Sequence, residues 1–247
     1  MSQIAVVAAS PSLMPPLGLD EESLRRFDAE MPAGVVDDAL LNTSPSRDLA
    51  AALAVMVTSL RAIDVEAVAR KQGWLSRLTG ADLEAAVLLE RACRNLEKDM
   101  TSAALAAKAT EQSITLMRKT QTGLGADQES LHALVLAGHA ALAAQDATVD
   151  PDLRARFERR VANAAALHAA NTLATAQLQL AIAHAGHLVD RFADVEKLLF
   201  PVWRRHAMAV AAAPTADGGV ASHFETLKSL HARFIAGATV PQEAVPT

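Results

Sequence analysis

Apolar residues recur at steps of three and four along most of this chain. Leu49, Leu53, Met56, Leu60, Ile63 and Ala67 form one such row. Ala86, Leu89, Cys93, Leu96, Met100, Ala103, Ala107, Thr110, Ile114 and Met117 form a second. A third runs Leu153, Phe157, Arg160, Ala164, Leu167, Asn171, Ala174, Leu178, Ala181, Ala185, Leu188, Phe192, Val195 and Leu199. That spacing keeps side chains on one face of an α-helix and, when sustained, is the spacing of coiled-coil seams. The pattern therefore predicts an all-α fold, an elongated bundle of long antiparallel helices with coiled-coil-like heptad packing.

Turn and cap signals divide the rows. Ser46 or Asp48 suits the start of the first helix. The second helix is expected over about Asp82–Thr122, ended by Gly123 and Gly125. A shorter one, Asp127–Gln145, carries Leu131, Val135, Gly138 and Leu142. Asp150-Pro151-Asp152 opens the last long helix, with Asp150 as N-cap and Pro151 at the first helical position. Pro201 is expected to kink or break it near Phe200. The second and last helices would run about 60 and 73 Å at 1.5 Å per residue. Gly73 to Gly80 reads as a compact connector with Trp74 and Leu78 turned inward. Residues 1–47 hold five prolines and no sustained period, so they are expected to be a mostly disordered arm with a short helix near Asp20–Glu30. The bundle then covers 48–213. A flexible link, a short helix opened by the Ser222-His223-Phe224-Glu225 capping pattern, and a loose tail fill 214–247.

Composition agrees with the periodicity. Apolar residues make up 51% of the 247, yet aromatics are 3% and Tyr is absent, so Ala, Leu and Val dominate. Ala and Leu favour helices, whereas strands favour β-branched and aromatic side chains. A net charge of −5 argues against nucleic acid as a partner. A single cysteine, Cys93, allows no internal disulfide, and its place on the second row predicts a buried, inert thiol. No run approaches the roughly 18 apolar residues of a transmembrane span, and the first residues lack a basic leader. The expectation is a cytoplasmic protein without a transmembrane segment.

Chemistry-bearing residues are sparse. His184, His187 and Asp190 lie three apart on one helix face, a spacing open to metal but more simply read as a solvated face. His132 and His139, and His223 and His231, read as surface faces. Arg154, Arg156, Arg159 and Arg160 form a candidate anion patch, and Arg160 and Asn171 fall on the apolar row, where polar groups set helix register. Arg204-Arg205-His206 reads as a solvated helix end. Gln177, His184 and Arg191 are seven apart and make a candidate interaction face for other proteins or a second copy. No phosphate loop, HExxH, CxxC or GxSxG pattern occurs, so no catalytic residue, metal or cofactor is assigned and the chain is read as a non-enzyme.

Several short runs, in order, resemble the toxic-anion-resistance family, the tellurite-resistance TelA-like proteins. They are Gly73-Trp74-Leu75, Glu97-Lys98-Asp99-Met100, Leu134 to Gly138, Arg156-Phe157-Glu158-Arg159-Arg160, Ala176-Gln177-Leu178 and Phe200-Pro201-Val202-Trp203-Arg204. The resemblance covers about Gly73 to Ala213. It implies a link to resistance against tellurite and similar oxyanions and brings no catalytic residue with it. Lacking a catalytic constellation, the chain is expected to act there through contacts with other proteins. Two other readings stay open: a coiled-coil scaffold unrelated to anions, and a metal- or anion-binding helical protein.

Overall fold

The computed structural model describes residues 17–32, 45–66, 81–144, 150–212 and 219–240. Among these every regular element is helical: α1 (Glu21–Glu30), α2 (Pro45–Arg61), α3 (Ala81–Ala143), α4 (Pro151–Asp194), a π-helical turn (Val195–Leu199), α5 (Phe200–Ala212) and α6 (Gly219–Ala238). The Gly73–Gly80 connector lies outside the described residues. The chain divides into two compact units, one of residues 1–37 and 118–180, the other of 38–117 and 181–247.

Side-chain caps explain two of the helix starts. Asp20 caps α1, its carboxylate accepting the Ser23 amide at 2.6 Å. That bond holds the Asp20 carboxyl below the usual carboxylate range. Asp150 caps α4 as expected, accepting the Asp152 amide at 3.1 Å. α2 opens at Pro45, so Ser46 and Asp48 sit inside its first turn rather than ahead of it. α6 likewise opens at Gly219, which places Ser222 within the helix.

One long-helix boundary differs from expectation. α3 runs unbroken through Gly123 and Gly125 for 63 residues. A glycine in a helix interior costs about 0.5–1 kcal/mol relative to Ala. Burial of Leu124 and Leu131 on the same helix outweighs that cost. At Pro201 the last helix is interrupted, as expected, by the π turn and continues as α5 to Ala212. The turn before the proline widens, and the Phe200 amide donates to the Val195 carbonyl five residues back. Proline has no N–H and crowds the carbonyl four residues earlier, and a π turn absorbs that misfit.

The unit of residues 38–117 and 181–247 has a core of α2, α3, α4, the π turn, α5 and α6. Leu49, Leu53, Met56 and Leu60 of α2 are fully buried beside Leu89, Leu96 and Ala103 of α3 and Trp203, Leu227 and Phe234 near the C-terminus. The expected row on α3 is buried from Leu89 to Met117. Thr110, on that row, satisfies its own hydroxyl by donating to the Ala106 carbonyl at 2.8 Å. Cys93 is 3% exposed, and burial pushes its thiol up from the ordinary value, which suits an inert side chain.

The unit of residues 1–37 and 118–180 packs α1 against α3 and α4. Phe27 of α1 and Phe157 of α4 are fully buried with ring centroids 5.6 Å apart, joined by Leu131 and Leu134 of α3. Short-range partners run Gln128 with Thr172, and His132 with His168, so α3 and α4 are antiparallel here. A Cβ on Gly138 would stand 2.5 Å from Val161 Cγ2 and 3.2 Å from Phe27 Cε2. Only a glycine lets α1 and α4 approach α3 this closely. Asn171, expected to set register, is 3% exposed, and its Nδ2 has no hydrogen-bond partner among the described residues.

Candidate functional site

An open groove of about 670 Å³ lies beside the second half of α4, the π turn and the end of α6. His184, His187, Asp190, Arg191 and Asp194 supply its polar wall, and Leu199, Gly237 and Val240 its apolar one. The i, i+3 spacing on α4 brings His184, His187 and Asp190 to one edge, where all three are exposed. They do not converge into a metal cage: among the described residues no cluster of three or more His, Cys, Asp or Glu is arranged to hold an ion.

Arg191 has a structural duty in this groove. Its guanidinium donates to the Thr239 carbonyl just past the end of α6, while Thr239 N–H donates back to Ile235 O at 2.9 Å. A cation at the C-terminal end of a helix meets unpaired carbonyls and the negative pole of the dipole. A Cβ on Gly237 would stand 2.6 Å from Leu199 Cδ1, so α6 packs closely on the π turn at the apolar wall of the groove. His184 and Arg191 therefore both line the groove, while Gln177 is exposed on α4 in the other unit.

The arginine patch is largely occupied. Arg156 pairs with Glu21 of α1 at 2.5 Å and Arg160 with Asp28 at 3.1 Å. Arg154 pairs with Glu158 at 3.1 Å and also donates to the Leu142 carbonyl at 3.3 Å. Arg159 is exposed. Phe157, Val161 and Ala164 are the buried positions of this turn, and Arg160 sits beside them on the rim. The arginines thus tie α1 down and close the start of α4.

Two of the runs that carry the resemblance, at 97–100 and 200–204, come together in the other unit. The runs at 134–138, 156–160 and 176–178 belong to the unit of residues 1–37 and 118–180, and the one at 73–75 lies outside the described residues. Arg204 reaches across from α5 to Glu97 of α3 at 2.9 Å, and Asp99 accepts the Ser59 hydroxyl of α2 at 2.7 Å. Trp203 is fully buried, edge-on to Phe234 at 6.1 Å and 6.3 Å from the His231 ring. His231 was expected on a surface face. It is instead packed against this cluster, and burial lowers its pKa below the usual 6.5. Trp203 Nε1 and His231 Nδ1 have no hydrogen-bond partner among the described residues. Within the Arg204–His206 run, Arg204 makes this interhelical ion pair with Glu97 while it and Arg205 stay exposed. Sequence reasoning missed these partners because an ion pair between residues 97 and 204 leaves no local periodic signal.

No helix among the described residues is long and apolar enough to cross a membrane. No family model and no solved structure matches the chain. It is similar to Protein KlaA of Escherichia coli, with 28% identity over 170 residues that cover 66% of this chain and 66% of that protein. KlaA is a member of the toxic-anion-resistance, TelA-like family, and the likeness supports the resemblance read from Gly73 to Ala213.

Proposed function

We propose that this chain is a non-enzymatic, cytoplasmic stress protein of the TelA-like kind, serving tolerance of tellurite and related oxyanions through contacts with other proteins. The likeness to KlaA carries the reading. The residues of the resemblance support it in a particular way. Trp203, Glu97, Asp99 and Arg204 build helix–helix contacts, so the shared run maintains a scaffold. The faces left outside that scaffold are available to partners. In one unit Leu105 and Leu116 are 69% and 48% exposed, and in the other Leu173 and Leu180 are 62% and 74% exposed. A partner covering any of these side chains would gain buried apolar area. His184, at the groove, and Gln177 are the polar positions assigned to partner contact.

The test is genetic and physical. A deletion strain should become more sensitive to tellurite and recover with the wild-type chain. Recovery should fail when Gln177 and His184 are both changed to Ala while circular dichroism shows an intact helix. Affinity capture with mass spectrometry should then identify a partner lost by the double variant. Unchanged tellurite tolerance in the deletion strain overturns the resistance reading. The sustained three-and-four row, buried along α3, would in that case favour a coiled-coil scaffold unrelated to anions.

A further inference from the structure

Within the unit of residues 1–37 and 118–180, His132 of α3 faces His168 of α4, their ring centroids 5.7 Å apart and their planes tilted by 38°. Along the sequence the two are unrelated, and His132 is paired by periodicity with His139 instead. The antiparallel helices bring them together. One turn away the neighbouring rung is held by Gln128 Nε2 donating to Thr172 Oγ1 at 3.0 Å. Thr172 Oγ1 in turn donates to the His168 carbonyl at 2.9 Å. That rung fixes the separation of the two backbones at the histidines. Among the described residues neither imidazole takes part in an ion pair or hydrogen bond that would occupy its nitrogens.

We propose that His132 and His168 form a cross-helix site for a divalent ion of the copper, nickel and zinc class, with water completing the coordination. Imidazole nitrogens bind such ions at about 2.0–2.1 Å. Two rings on one tetrahedral zinc ion then have centroids roughly 5–5.5 Å apart, and on adjacent positions of a tetragonal copper or nickel ion roughly 4.5 Å. The 5.7 Å found here therefore needs only a small closure of the pair. The χ2 torsion of histidine is broad, so modest rotation turns one nitrogen of each ring toward a shared point. His132 is exposed and His168 half-buried, which leaves room for water ligands. Imidazole favours these borderline ions over magnesium or calcium, and copper is expected to bind ahead of nickel and zinc. The site has two protein ligands, consistent with the lack of any three-residue cluster among the described residues. Cys93, a stronger ligand for the same metals, is buried in the other unit and does not compete.

An ion held by both helices binds the folded chain in preference to the unfolded one and so raises its melting temperature. Thermal unfolding of the full chain should shift upward with copper chloride, and less with nickel or zinc chloride. Calorimetric titration should give one ion per chain at this site. His132→Ala and His168→Ala should each abolish the shift, and both positions are peripheral enough for circular dichroism to remain unchanged. The double variant His184→Ala with His187→Ala should keep it. No shift in the wild-type chain, or a shift that survives both single substitutions, overturns the proposal.

Discussion

The two units draw residues from the same two long helices, α3 and α4, yet cover them differently. In residues 38–117 and 181–247 the cover is α2, α5 and α6, knitted by Trp203, Phe200 and Phe234 and by polar links at Glu97–Arg204, Asp99–Ser59 and Lys228–Glu66. In residues 1–37 and 118–180 the cover is the ten-residue α1. Its anchor is Phe27 on Phe157, assisted by the exposed pairs Arg156–Glu21 and Arg160–Asp28. Exposed ion pairs contribute only about 0–1 kcal/mol each, so apolar contact must hold α1 in place. One unit thus spreads its stability over many side chains, and the other concentrates it in a few.

Removing the anchors probes that difference most strongly. Trp203→Ala and Phe27→Ala should each cost about 3–5 kcal/mol, read by chemical denaturation. Hydrogen exchange resolved by segment should separate them. The Phe27 variant should lose amide protection over residues 118–180 first, and the Trp203 variant over 81–117 and 181–240 first. Equal loss everywhere in both variants would erase the distinction between the units. Asn171→Leu should next hold or raise stability, because an unsatisfied buried amide costs about 1–3 kcal/mol. A loss of several kcal/mol would show that Asn171 serves a polar network.

Glycines sharpen the comparison further. Gly138→Ala should destabilise by about 1–3 kcal/mol, since the new Cβ overpacks against Val161. Gly125→Ala, where a Cβ would meet nothing within 4 Å, should stabilise α3 by about 0.5–1 kcal/mol. Matching signs at the two sites would contradict the packing described for Gly138. The smallest effect concerns acid. Burial depresses the folded-state pKa of His231 below 6.5, so between those two values the unfolded chain binds more protons. Stability should therefore be fullest above pH 6.5 and decline as the pH falls through the window down to the folded-state pKa. His231→Gln should flatten that slope in denaturation curves measured across pH 5–8.

Much of the fold was legible because a helix reports its buried face through local spacing. The rows on α2 and α3, the Asp150 cap, the buried Cys93 and the short helix at Asp20–Glu30 all follow from residues within a few turns of one another. Gly123 and Gly125 misled for the same reason: their local preference is to stop a helix, and only the burial of Leu124 and Leu131 against other segments decides that it continues. The site was far less legible. The sequence put four arginines together, but the carboxylates that occupy Arg156 and Arg160 lie more than a hundred residues earlier. Arg191 was readable as an exposed position on a repeating face, and not as the partner of the Thr239 carbonyl that helps frame the groove. His132 gave no hint of His168. Periodicity along one helix determines which face turns inward. Which helix meets that face, and which polar groups meet across the contact, depends on a balance of burial and pairing summed over residues far apart in the chain, and only the tertiary structure holds that sum.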